Sequence, residues 1–91
     1  MPYIKKEKRE ELDSEIKALS ANIENEGDLN YSISKLIDME ISSSGLNYAN
    51  LNRLVGVLEC AKLELYRRIA APYEDMKKEE NGDVFNIEES R

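Results

Sequence analysis

The sequence predicts an all-α fold: a helical hairpin packed on a long third helix that Pro72 kinks, then a short extended C-terminal segment. Apolar residues recur at helical spacing in successive stretches. Gly and Asn/Asp positions punctuate them, and no stretch alternates apolar and polar residues long enough for a convincing strand.

The elements follow in order. Lys5 to Glu11 reads KKEKREE, a solvated helical turn or a mobile arm, so residues 1–12 are set apart as a charged N-terminal arm. Asp13 is an N-cap type with Ser14 and Glu15 in the first turn, and Ile16, Leu19 and Ile23 share one helical face. Gly27 reads as the residue just past that helix, and Asp28 as the next N-cap. Leu29, Ile33, Leu36, Ile37 and Ile41 form the apolar stripe of the second helix, and the tight connection makes a hairpin. Ser42-Ser43-Ser44-Gly45 is loop-like in composition. Asn47 caps the third helix, with Leu46 and Leu51 placed as a hydrophobic staple.

Leu51, Leu54, Leu58, Ala61, Leu65 and Ile69 keep helical spacing through the third helix. Pro72 removes a backbone donor, so the helix kinks or ends nearby. Good helix formers resume from Tyr73 to Glu80, and Asn81-Gly82 stops them. The helical domain thus spans 13–80, and 81–91 is a C-terminal lid or tail beginning with an extended Asp83-Val84-Phe85. Leu19, Ile23, Ile33, Leu36, Ile37, Leu54, Leu58 and Leu65 are the expected core.

Composition narrows the function classes. With 91 residues the chain is one domain at most, and so small a core favours homo-oligomerisation. Apolar residues make up 41%, enough to fold, while charged residues make up 35% with a net charge of -6. That balance argues against a polymeric nucleic acid as partner, although a local basic patch can hold a small anion. One cysteine, Cys60, and no histidine mean no intrachain disulfide and no histidine-based zinc or nucleophile system. Neither a metal nor a cofactor is expected. No apolar run reaches the roughly 18 residues of a membrane span, and the N-terminus lacks a signal-peptide core. The expected setting is the cytoplasm, without a membrane partner.

One constellation stands apart from the core. At about 100° per residue, Lys62, Tyr66, Tyr73 and Lys77 fall on one flank of the third helix. Arg68 falls on the other flank, and Arg67 faces more nearly away. Tyrosine rings stack on bases, and lysine and arginine hold phosphate oxygens, so this suits a nucleotide-like ligand. The same pattern also suits solvated lysines and tyrosines that close the edge of a core. Asp28-Leu29-Asn30-Tyr31 is a cap followed by an aromatic, or a second ligand contact. Asn47 to Asn50 is capping chemistry. Glu24, Glu26, Glu74 and Asp75 show no spacing that marks a catalytic acid–base pair. Cys60 reads as a packed or interface thiol.

The stretches MPYIKKEKREELD, GDLNY and GLNYANLNRLVGVLECAKLELYRRIAAPYEDMKKEENGDVF resemble a family of short proteins frequent in phages and prophage-bearing bacteria. The resemblance runs from Met1 to Phe85 and is most specific in GVLECAKLELYRR, APYED and ENGDVF. Small helical phage proteins of this kind include sponges of the anti-CBASS type, which sequester cyclic nucleotide immune signals between subunits of an oligomer. The resemblance therefore implies a non-catalytic cyclic-nucleotide sponge in the host-cell cytoplasm. Lys62, Tyr66, Arg67, Arg68 and Tyr73 would contact the ligand, and Asn81 and Phe85 would belong to a lid over it. The alternative is a helical protein-protein interaction or structural module with no small-molecule ligand. An enzyme ranks last, for want of histidine and of a metal motif.

Overall fold

The structure, a computed structural model, describes residues 2–87. It is all-α: α1 spans Lys6–Ala21, α2 Glu26–Ser44, α3 Tyr48–Leu65 and α4 Ala71–Asn81, and a π-helical turn over Tyr66–Ala70 joins α3 to α4. From Tyr48 to Asn81 the chain is thus one long helical run, and no strand occurs among the described residues. The chain divides into two units, Met1–Val57 and Leu58–Arg91.

In the first unit, α1 starts earlier than Asp13. Its N-cap is Lys5, whose carbonyl accepts from the Lys8 and Arg9 amides at 3.0 and 3.1 Å. Lys, Arg and Glu are strong helix formers, and Lys8 pairs with Glu11 at 3.1 Å one turn on. Local propensity therefore extends the helix through the charge run, and Asp13 lies inside it.

The second cap also differs from expectation. Asn25, not Asp28, is the N-cap of α2, and its Oδ1 accepts from the Asp28 amide at 2.8 Å. The Asp28 carboxylate reaches back to accept from the Glu24 amide at 3.0 Å. This reciprocal pair satisfies amides that a helix start leaves without partners. Gly27 sits in the first turn of α2 rather than ending α1, whose last turn is closed by Asn22 and Ile23 amides on the Leu19 and Ser20 carbonyls.

Ser42 to Ser44 are helical. Ser44 Oγ donates to the Glu40 carbonyl at 2.8 Å, an i−4 bond that lets serine stay within a helix. The chain turns at Gly45, where φ is 106°, a backbone region that side chains with a Cβ rarely enter. Asn47 then caps α3 as expected, its Oδ1 accepting from the Asn50 amide at 2.9 Å. Asn50 Nδ2 donates to the Ser44 and Gly45 carbonyls, and Arg53 reaches Ser44 Oγ at 3.2 Å and Glu40 at 3.5 Å. The α2–α3 corner is therefore tied by side chains from both helices.

The expected core is corrected by the burial pattern. Among the described residues Leu54 is the one buried hydrophobic, at 4% exposure. Ile23 and Ile37 are half-buried, while Leu19, Ile33, Leu36, Leu58 and Leu65 are exposed. The spacing placed these residues correctly on helical faces, but the single chain leaves those faces uncovered.

In the second unit, α3 meets Pro72 without a break. Pro72 has no amide hydrogen, and its ring crowds the carbonyl one turn back. The backbone relieves this by widening: the Ala71 amide bonds the Tyr66 carbonyl, five residues back. α4 ends at Asn81, with Gly82 at φ 92° and its amide on the Lys78 carbonyl at 2.8 Å. The residues after Gly82 form neither helix nor strand as far as Ile87.

Candidate functional site

The expected contact residues all belong to the second unit. Lys62 lies on α3, Tyr66, Arg67 and Arg68 on the π turn, Tyr73 and Asn81 on α4, and Phe85 in the tail. The π turn changes how they align. In an unbroken α-helix, Tyr66 and Tyr73 differ by about 20° around the axis. A π turn takes up about one extra residue, which rotates everything beyond it by about 100°. Glu74 then comes over Tyr66 in place of Tyr73. The contact bears this out: Tyr66 Oη donates to Glu74 Oε1 at 3.4 Å, eight positions along the chain. The single flank read from the wheel is therefore split, with Lys62 and Tyr66, the first residue of the turn, on one side and Tyr73 and Lys77 beyond the turn on another.

Each part has its own electrostatics. Lys62 pairs with Glu59 at 3.1 Å. Arg67 Nη2 contacts both oxygens of Glu64, at 3.2 and 3.1 Å. The Glu64 side chain is only 16% exposed, so this pair is better shielded from water than the other ion pairs. Past the turn, Lys77 Nζ lies 5.7 Å from the centre of the Tyr73 ring and 3.4 Å from Glu80. The Tyr66 and Tyr73 rings are about half exposed, so each has surface to offer a stacking partner.

A cleft of about 510 Å³ lies where the tail leaves α4. Asn81 and Phe85 line it, as do Lys77 and Lys78, so the structure brings the two expected lid residues together. Glu74, Asp75 and Asp83 line it too. Three carboxylates thus outnumber two lysines there, which disfavours an anion in that cleft alone. Sequence reasoning missed Glu64 and Glu74 as partners. The spacing of Glu64 and Arg67, three apart on a helix, signals the first; the second depends on the π register and has no α-helical signal. Among the described residues, no group of Cys, Asp and Glu is arranged to hold a metal ion, and no helix is long and apolar enough to cross a membrane.

The domain of unknown function DUF6899 matches residues 1–84. The chain belongs to the DUF6899 family. No curated protein and no solved structure matches it. The matched residues include the α2–α3 corner, the π turn and α4 of this chain, while Phe85 lies just past the edge of the match.

Proposed function

We propose that this DUF6899 protein is a non-catalytic homo-oligomer that holds a small anionic ligand, of the cyclic-nucleotide class, between its subunits. In that role it would act as a sponge, withdrawing a signal in the host-cell cytoplasm. The observation that carries the oligomer is exposed area. Each helix exposes large apolar or aromatic side chains, among them Leu19 on α1, Leu36 on α2, Leu58 on α3 and Tyr73 on α4, and Leu54 is the one buried hydrophobic among the described residues. Covering such faces with a second copy removes apolar surface from water, a common remedy for so short a chain.

The ligand rests on the π turn and on the sequence resemblance to short helical phage proteins, a class that includes sponges. π turns concentrate at functional sites, and this one presents Tyr66, Arg67 and Arg68 together. Tyr66 and Tyr73 would stack on bases; Lys62, Arg67 and Arg68 would take phosphate oxygens. A second reading, an interaction module without a small ligand, is favoured by the ion pairs. Lys62 and Arg67 already have Glu59 and Glu64 as counter-ions, and a phosphate would have to displace them.

Thermal melts with a panel of cyclic di- and trinucleotides separate the readings. A ligand bound only by the folded state raises stability by RT ln(1 + [L]/Kd). Recovery of the ligand intact identifies a sponge, and a hydrolysed product identifies an enzyme. An assembled protein with no shift for any cyclic nucleotide leaves the interaction module.

A further inference from the structure

Resting on the cyclic-nucleotide reading, we infer that Glu74 selects the base of the ligand, and that the base it selects is guanine. The π turn puts Glu74 in place. The Ala71 amide bonds the Tyr66 carbonyl, and the added residue brings Glu74 over Tyr66, whose Oη donates to Glu74 Oε1 at 3.4 Å. The Tyr66 side chain is 53% exposed, so a base can lie on its ring and turn an edge towards the carboxylate at the hydroxyl end. That carboxylate has acceptor capacity to spare. At 3.4 Å the Tyr66 contact is long for an O–H···O bond, and a carboxylate offers about four acceptor positions. Its neighbours along the same helical run are committed: Glu59 pairs with Lys62, Glu64 with Arg67 and Glu80 with Lys77. Glu74 has no such ion pair among the described residues; its partner is the neutral Tyr66 hydroxyl.

A carboxylate accepts hydrogen bonds and donates none. Guanine is the nucleobase whose pairing edge sets two donors side by side, the N1 imino and the N2 amino groups. Adenine and cytosine each set an amino donor beside a ring-nitrogen acceptor, and uracil sets one N–H between two carbonyls. Against those edges a carboxylate makes one bond and meets a lone pair with its other oxygen. Against guanine it makes two, both charge-assisted. The phosphates favour the same orientation. Glu74 repels them, so a nucleotide entering from the side away from Glu74 leads with its base and keeps its phosphates outermost. The carboxylate that disfavours a phosphate at this place is thus suited to a base edge.

The test compares ligands that differ in the base alone, so that phosphate charge cancels. Cyclic di- and triguanylate are set against cyclic di- and triadenylate in calorimetry, on the full-length protein and on Glu74→Gln. The parent should bind each guanylate roughly ten- to a hundredfold more tightly than the matching adenylate, the range that a bidentate base contact supplies. Glu74→Gln keeps an acceptor for Tyr66 Oη and exchanges one carboxylate oxygen for an amide donor, which matches the donor–acceptor edge of adenine. The preference should therefore vanish or reverse in the variant, with circular dichroism showing unchanged helicity. A parent that binds the two series equally, or prefers adenylates, overturns selection by Glu74 and leaves the cyclic-nucleotide reading standing. So does a variant that keeps the guanine preference, or one that weakens both series by the same factor, since Glu74 then acts only by holding the π turn. No binding of any of these ligands overturns both.

Discussion

Leu65 tests whether the exposed α3 stripe is a subunit interface. It lies near the end of α3 and is 62% exposed in the single chain. Leu65→Ala removes about three methyl or methylene groups, each worth about 0.8 kcal/mol when fully buried. If a second copy covers the exposed share, the loss is about 1.5 kcal/mol per chain, about tenfold in the association constant for each copy. If the residue stays in water, the substitution is near neutral, because alanine is the better helix former. Sedimentation equilibrium across micromolar concentrations reads the difference, with far-ultraviolet circular dichroism confirming that helicity is kept. An oligomer dissociation constant within twofold of the parent would refute the argument that exposed α3 residues form the interface. Leu54→Ala is the companion: Leu54 is already buried within the chain. It should cost about 2–5 kcal/mol in chemical denaturation of the folded protein.

Further outcomes follow from particular bonds. Asn25→Ala deletes the α2 cap and should lower stability by about 0.5–2 kcal/mol, read as a shifted denaturation midpoint. Gly45→Ala forces a Cβ into φ 106° and should cost about 1–2 kcal/mol, whereas Gly56→Ala, with open space at its Cβ, should be neutral or stabilising. Pro72→Ala restores an amide donor and should let the π turn relax towards α register, seen as altered backbone chemical shifts over Tyr66–Ala70 and loss of the Tyr66–Glu74 contact. Arg68→Ala with Tyr73→Ala should abolish cyclic-nucleotide binding in calorimetry while leaving assembly intact, and unchanged affinity would remove that site.

The sequence made the helix faces legible and hid where the helices begin. Asn47 was readable as a cap because a loop-like run precedes it and an apolar stripe follows. Asn25 was not, because Asp28 lies three residues on and is itself a good cap; in the structure the two cooperate, one as cap and one as its reciprocal partner. Asp13 misled because charged residues upstream show no apolar period, although their propensity is helical. Ser44 misled for the opposite reason, since its hydroxyl folds back on Glu40 and keeps a turn-forming residue inside α2. Burial was the least legible property. Periodicity reports that Leu58 and Leu65 share a face, and is silent on whether the covering surface lies in the same chain.

The π turn ties the candidate ligand site to assembly. A wheel with α-helical register put Tyr66 and Tyr73 on one flank, where one base-bearing ligand could touch both on a single chain. The extra residue in the turn rotates Tyr73 away by about 100° and sets Glu74 over Tyr66 instead. A carboxylate beside the ring repels a phosphate, so a nucleotide on Tyr66 must approach from the side away from Glu74. Tyr73, with Lys77 near its ring, faces elsewhere and would serve a ligand approaching from that direction. On the proposed reading, Tyr66 of one copy and Tyr73 of another then close on the same ligand. Mixed oligomers test this directly. Tyr66→Ala and Tyr73→Ala proteins, each weak in binding alone, should recover some sites on mixing, because some interfaces then carry Tyr66 from one parent and Tyr73 from the other. Calorimetry in which the mixture binds no better than either variant would mean that both tyrosines must come from one chain, and the shared site would fall.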